Sequence, residues 1–143
     1  MPGERNEVRI NYSEDEDFGG QFELWQANCR RSIKGAKGQQ ALRELRDALL
    51  ALPTKRLISG ALESNGEFCA IGAYAKAKGL TLAQFGEDEH ERAGEEAGMP
   101  RLVSWKVVYE NDEGCGWLPR SVVEPPEARY ERMLRWVERC LAK

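Results

Sequence analysis

The residue types that carry most acid–base and nucleophilic chemistry in proteins are sparse in this chain. His90 is the one histidine, and it lies within the acidic run GEDEHERAGEE. A serine or cysteine nucleophile needs an adjacent base, and the chain has no G-x-S-x-G elbow. The carboxylates around His90 have no apolar neighbours in sequence that would raise a pKa. We therefore expect His90 to be exposed and expect no catalytic residue.

The four cysteines do not follow a pattern typical of metal binding. They are separated by 40, 46 and 25 positions, and no C-x-x-C pair allows one loop to supply two zinc ligands. A zinc site assembled from distant cysteines stays open as an alternative. We favour buried thiols and expect no metal and no cofactor; the residues concerned are Cys29, Cys69, Cys115 and Cys140.

Length and composition indicate one folded domain. The chain has 143 residues, of which 41% are hydrophobic, and single cores commonly serve roughly 100–200 residues. No apolar run approaches the roughly 18 residues that a membrane span needs. The first residues are charged and lack the apolar stretch of a secretory signal. We expect a cytoplasmic protein with no membrane association.

A basic segment near the first third of the chain is one candidate binding site. Residues 29–57 hold eight basic and two acidic residues, although the whole chain has a net charge of −3. The run IKGAKGQQ places glycines and lysines before a predicted helix, where free backbone N–H groups favour anions. Phosphate or nucleic-acid binding is one interpretation, and a helix–helix turn that needs glycine is the other. The candidate residues are Arg30, Arg31, Lys34 and Lys37.

Two further groups are candidate partner-binding residues. Exposed tryptophan and arginine are frequent interface anchors, so the arginine face of the last helix predicts a partner surface, unless its own glutamates neutralise it. That group comprises Trp117, Arg129, Arg132 and Trp136. The acidic run is the other group, because spaced carboxylates can mimic phosphates toward a basic groove; it comprises Glu87, Asp88, Glu89 and Glu91.

The periodicity of apolar residues predicts a mainly α fold: a compact single-domain bundle of about six helices. The Asn65-Gly66 pair is typical of a tight hairpin turn and predicts a small β-hairpin around residues 57–68. We expect a flexible acidic arm over residues 1–17 and a helical domain over residues 18–143. Helices are predicted at 20–33, 39–51, 69–78, 87–97, 100–111 and from Pro125 onward.

Several stretches, taken in order, resemble a family of small proteins encoded by bacteriophages and prophages. They are SIKGAKGQQALRELRDALLALPTKRLI, GEFCAIGAYAKAKG, VYENDEG and a Pro-Glu start before a Trp-Val helix. The resemblance spans about residues 20–141. Family members open the last helix with Thr-Pro-Glu-Glu-Arg-Trp, whereas residues 124–130 here read EPPEARY, so the capping threonine is replaced.

The resemblance implies a phage setting in a bacterial cell and supplies no activity. By analogy, small acidic phage proteins bind and redirect host machinery, including defence complexes that handle nucleic acid. We therefore expect a non-catalytic accessory protein that binds a host protein or nucleoprotein complex, with an anti-defence, anti-CRISPR-like role as one form. Direct nucleic-acid binding through residues 30–37 and the arginine face is the alternative.

Overall fold

The structure, a computed structural model, describes residues 20–114 and 123–142 and is mainly helical, as predicted. The elements of these ranges are α1 (Gln21–Lys34), α2 (Ala36–Ala51), β1 (Glu63–Ser64), β2 (Glu67–Phe68), α3 (Ala70–Ala77), α4 (His90–Glu96), α5 (Arg101–Glu113) and α6 (Pro126–Cys140), with a 3-10 turn at Leu82–Gln84. No helix in these ranges combines the length and apolar character of a membrane crossing. The expected arm over residues 1–17 lies outside them.

Helix α3 lies at the centre of the packing because its residues are small. It packs against α2, α4 and α5, and all residues from Ala70 to Ala75 are buried. A Cβ added at Gly72 would overlap the carbonyl oxygen of Leu62. The predicted small-residue helix thus lets the hairpin and three helices approach one backbone closely.

The predicted hairpin forms, with strands of two residues each. Asn65 and Gly66 both have positive φ, 53° and 80°, which is the conformation that the Asn-Gly pair tolerates. The register pairs Glu63 with Phe68 and Ser64 with Glu67. The hairpin is held from outside by Ile58, whose N–H donates to the carbonyl of Phe68 at 3.0 Å.

Two predicted helix boundaries are wrong. Helix α2 begins at Ala36 rather than Gln39, because Gly35 alone ends α1 and begins α2. Helix α4 begins at His90 rather than Glu87, because residues 86–89 form a turn. In that turn the N–H of Gly86 donates to the Glu89 carboxylate at 2.8 Å, and the N–H of Glu89 donates to the carbonyl of Gly86.

One buried amide joins three parts of the fold. Asn111, which is 1% exposed, accepts from the N–H of Ala70 at 3.0 Å through Oδ1. Its Nδ2 donates to the carbonyl of Ile58 and to Asp112. Asn111, near the carboxyl end of α5, thereby provides hydrogen-bond partners for a backbone N–H in the first turn of α3 and for a carbonyl in the segment that borders the hairpin.

A buried carboxylate fixes the start of α6. Glu124 is 2% exposed and lies 2.7 Å from Nε of Arg132, which also reaches its second oxygen at 2.9 Å. The Nε of Arg129 lies 3.3 Å from the same carboxylate, in ion-pair range but without hydrogen-bond geometry. Arg132 also donates to the carbonyl of Glu110, and Arg129 donates to that of Leu57.

The arginine face of α6 is therefore not the exposed partner surface that its spacing predicts. Arg129 is 6% exposed, Trp136 is 8% exposed, and the side chain of Arg132 is 14% exposed. The cause is Glu124, which lies before the helix and supplies a buried counter-charge that helical spacing alone does not reveal. Arg135 and Arg139 remain exposed. Trp117 lies outside the described residues.

We expect Asn111→Ala to lower the free energy of unfolding by about 2–4 kcal/mol, because it leaves the N–H of Ala70 and the carbonyl of Ile58 unpaired in the interior. Urea denaturation followed by circular dichroism measures this loss. The control, Gln40→Ala, removes an exposed amide that bonds to Arg43 and Glu44 on its own helix, and we expect a change within about 0.5 kcal/mol. Equal losses in both variants would contradict the role of Asn111.

Candidate functional site

A cleft of about 420 Å³ lies between the hairpin and the segment that leads into α4. One wall is residues 60–65, which include β1 and the Asn65 turn. The other wall contains the 3-10 turn and its continuation; its lining residues are Leu82, Ala83, Phe85, Gly86, Glu87 and His90. The cleft therefore brings part of the predicted acidic run against a hairpin that is about 20 positions earlier in the chain.

The charged lining of the cleft is acidic. Glu63 contributes a carboxylate from the hairpin wall and Glu87 one from the other wall, and both residues are exposed. No lysine or arginine is among the described residues that line the cleft. Neither carboxylate forms an ion pair with a described residue, so both negative charges are available to a ligand.

Other carboxylates near the cleft are already neutralised. Glu67, on the second strand, lies 3.1 Å from Nε of Arg56. Glu89 accepts from the N–H of Gly86 and lies 2.7 Å from Arg92, and both contacts hold the pKa of its carboxyl below the ordinary value. Glu96 lies 2.8 Å from the same arginine. The predicted acidic group is thus divided, since Glu89 stabilises the turn whereas Glu87 and Asp88 are free.

The cleft does not offer a metal centre. No group of three or more His, Cys, Asp or Glu side chains among the described residues is arranged to hold a metal ion. His90 lies at the first position of α4, half-buried, and lines the cleft beside Glu87. The imidazole of His90 and the carboxylates of Glu63 and Glu87 therefore belong to one cleft that two separate segments form.

The basic candidates lie elsewhere, on α1 and at the start of α2, and are exposed. Arg31 donates to Asn28 at 2.7 Å, and none of the four forms an ion pair with a described residue. The group comprises Arg30, Arg31, Lys34 and Lys37. Gly35 is the N-cap of α2 and provides no side-chain cap. The use of these cations in phosphate or nucleic-acid binding stays a prediction.

The glycines and glutamine of the IKGAKGQQ run serve packing. A Cβ on Gly38 would overlap the carbonyl oxygen of Ser32, so α1 and α2 meet at this residue. Gln39, which is 9% exposed, donates to the carbonyls of Ile33 and Cys140. Its Oε1 accepts from the N–H of Ala142 at 2.7 Å. The motif ties the end of α6 to the α1–α2 turn, which favours the helix–helix interpretation.

A buried lysine was missed by sequence reasoning. Lys106 is 7% exposed and lies 2.9 Å from Glu110 and 2.5 Å from Gln26. Its ammonium group also lies 4.9 Å from the ring centre of Tyr109 and 5.7 Å from that of Trp25. The sequence signal is Glu110, four residues after Lys106, because residues at i and i+4 lie on the same helix face and can form an ion pair. These partners come from both helices, so the cluster fixes α1 against α5.

The described cysteines are free thiols, and two of the three lie in the core, as predicted. Cys29 and Cys69 are buried, and desolvation raises the pKa of each thiol to about 12. The Sγ of Cys69 accepts the N–H of Gly72 and caps α3. Cys140 is half-buried, and its pKa is raised for the same reason. Cys115 lies outside the described residues.

Comparisons with known proteins leave the family open. No protein-family model, no curated protein and no solved structure matches the chain. The sequence resemblance to phage-encoded proteins is therefore still a prediction.

We expect Gly38→Ala to lower the free energy of unfolding by about 2–4 kcal/mol, because its Cβ meets the backbone of the preceding helix. The matched control is Gly35→Ala, three positions earlier in the same motif. Its φ is −71° and its Cβ would lie 3.5 Å from Ser32, so we expect a loss below about 1 kcal/mol. Urea denaturation of both variants measures the difference. A greater loss at Gly35 would contradict the packing interpretation.

Proposed function

We propose that this protein binds a macromolecular partner without catalysis and that the acidic cleft receives a basic segment of that partner. The single observation that carries the proposal is a concave surface with two exposed, unpaired carboxylates, Glu63 and Glu87, on facing walls. The proposed setting is that of a bacteriophage or prophage accessory protein, in which the partner is a host protein or nucleoprotein complex. An anti-defence role follows from the phage resemblance alone.

Electrostatics supports a basic partner. Exposed carboxylates attract a cationic surface over about 8 Å at physiological ionic strength, which raises the rate of encounter. Because Arg56 and Arg92 already neutralise the neighbouring Glu67 and Glu89, the attraction is concentrated at the cleft. A fixed concave site also loses little conformational entropy on binding.

The same contacts favour binding over catalysis. Ser64 is the one hydroxyl-bearing side chain among the cleft residues, and it forms no hydrogen bond to His90 within the described structure. The buried charged groups, Glu124 and Lys106, face structural partners rather than the cleft. A nucleophile next to an oriented base is what covalent catalysis needs.

Direct nucleic-acid binding is the second candidate, and it rests on the four exposed cations around the α1–α2 turn. Arg30, Arg31, Lys34 and Lys37 form no ion pair with described residues, so they are free to contact phosphates. The sequence predicted that the arginine face of α6 would extend this basic surface. Glu124 neutralises Arg129 and Arg132, so these two arginines do not contribute to it.

Purification of the tagged chain from bacterial cells, with and without nuclease, tests the proposal. We expect a stoichiometric protein partner that survives nuclease and is released by salt, because charge pairs near the surface are screened. The double variant Glu63→Gln/Glu87→Gln should bind that partner at least about tenfold more weakly, which is a loss of about 1.4 kcal/mol in binding free energy.

The control is Asp47→Asn/Glu138→Gln, which removes two exposed carboxylates outside the cleft and should retain the partner. Circular dichroism should show that both double variants are folded. Retention of the partner by the cleft variant would overturn the proposal. Recovery of nucleic acid, or of partners lost on nuclease treatment, would support the basic surface instead.

A further inference from the structure

We infer that the ligand of the cleft is one arginine side chain, carried on an extended segment of the partner that pairs with the backbone of Glu63. This inference rests on the proposed function and specifies its ligand. Three features of the cleft lead to it: an outward-facing strand edge, apolar residues in the lining and two carboxylates from different segments.

The hairpin has an open edge at Glu63. The N–H of Cys69 donates to the carbonyl of Leu62 at 3.2 Å, and the carbonyl of Phe68 points outward to Ile58. In an antiparallel pair, residues that bond to each other alternate with residues whose N–H and C=O point away. Glu63 is opposite Phe68, so its own N–H and C=O face outward on the other side. They are available to one residue of an added strand.

The register places the side chain of that added residue in the cleft. Residues directly opposite each other in a ladder have their side chains on the same face, about 4.5–5.5 Å apart at Cβ. Glu63 is one of the residues that line the cleft, and a residue paired with it has its side chain on the same face as that of Glu63. A cation at that position forms a cross-strand charge pair with Glu63 and can reach Glu87 on the facing wall.

The lining favours a cation with an apolar stem. Leu62, Leu82 and Phe85 line the cleft together with the two carboxylates, and the methylene groups of a long side chain can pack against such apolar residues. The volume of about 420 Å³ is at the small end of the roughly 300–1,000 Å³ seen in ligand sites. A cleft of this size accommodates a single long side chain rather than a helix.

Arginine fits better than lysine because a planar guanidinium can donate to two carboxylates at once. The protein shows such an arrangement next to the cleft, where the guanidinium carbon of Arg92 lies 5.6 Å from the ring centre of Phe85 and already covers that ring. That same guanidinium is shared between Glu89 and Glu96. An ammonium, by contrast, is a compact point charge.

A titration of the full chain with capped tripeptides tests the inference. The probe is acetyl-Ala-Arg-Ala-amide, added to the ¹⁵N-labelled protein and followed by amide chemical shifts. We expect saturable shifts at Glu63 and across residues 82–90. The citrulline peptide, which is neutral and nearly isosteric, should bind at least about tenfold more weakly, and the lysine peptide should fall between them.

Two matched variants and one modified peptide distinguish the contribution of the two carboxylates from that of the backbone hydrogen bond at Glu63. Glu63→Gln/Glu87→Gln should weaken the arginine peptide about tenfold or more, whereas Asp47→Asn/Glu138→Gln should leave it unchanged. Methylation of the arginine backbone nitrogen removes the donor to the Glu63 carbonyl and should weaken binding to a similar extent. Equal binding of the arginine and citrulline peptides, or shifts outside the cleft, would overturn the inference.

The two proposals can fail separately. If the cleft variant loses its protein partner but the arginine peptide does not bind the wild-type protein, the arginine assignment is wrong and the proposed function stands. If the variant retains its partner, the cleft is not the binding surface, and the proposed function fails with it.

Discussion

A buried carboxylate neutralised by two arginines holds the chain together where α5 ends and α6 begins. Glu124 binds Arg132 through both oxygens, and Arg132 in turn donates to the last carbonyls of α5. An unpaired charge in this position would cost several kcal/mol, so each member of the group needs the others. This ion group places the carboxyl end of α5, and with it Asn111, at a fixed point in the interior.

Both walls of the cleft are positioned from α5. Asn111 bonds to Ile58, which pairs with Phe68, so the hairpin wall is linked to the carboxyl end of the helix. Ser104, about two turns earlier, donates to the carbonyl of Glu91 at 2.7 Å and packs against Gly94, so the α4 wall is linked to the amino half of α5. Helix α3 also packs against β2, the 3-10 turn and α4, so α3 and α5 together support both walls of the cleft.

Local patterns predicted the elements well and the site in part. Apolar spacing, Asn65-Gly66 and Pro126 are signals that act within one element, and the helices and hairpin appear where these signals indicate. The prediction that the arginine face of α6 is exposed was wrong for Arg129 and Arg132, because their counter-charge, Glu124, precedes the helix and falls outside the helical spacing. Glu63 was missed because its proximity to residues 82–90 depends on α5, which follows both segments in sequence. The basic run around Lys34 had two interpretations, and the contacts of Gly38 and Gln39 favour the helix–helix turn.

The sequence stretches that resemble phage proteins are largely accounted for by packing. Gly38 and Gln39 close the α1–α2 turn, and Asn111 joins α5 to α3 and the hairpin segment. Such residues specify a fold and do not by themselves indicate an activity. Functional differences within such a fold would then be expected on exposed positions, which include the carboxylates of the cleft.

The central claim is that charged groups divide into buried ones that hold the fold and exposed ones that are free to bind. The free energies of unfolding of Glu124→Gln and Glu87→Gln test this division most directly. The first should fall by about 3–5 kcal/mol, because two arginines lose their counter-charge. The second should stay within about 0.5 kcal/mol of the wild type, because Glu87 forms no ion pair with a described residue. Similar stabilities for the two variants would contradict the division.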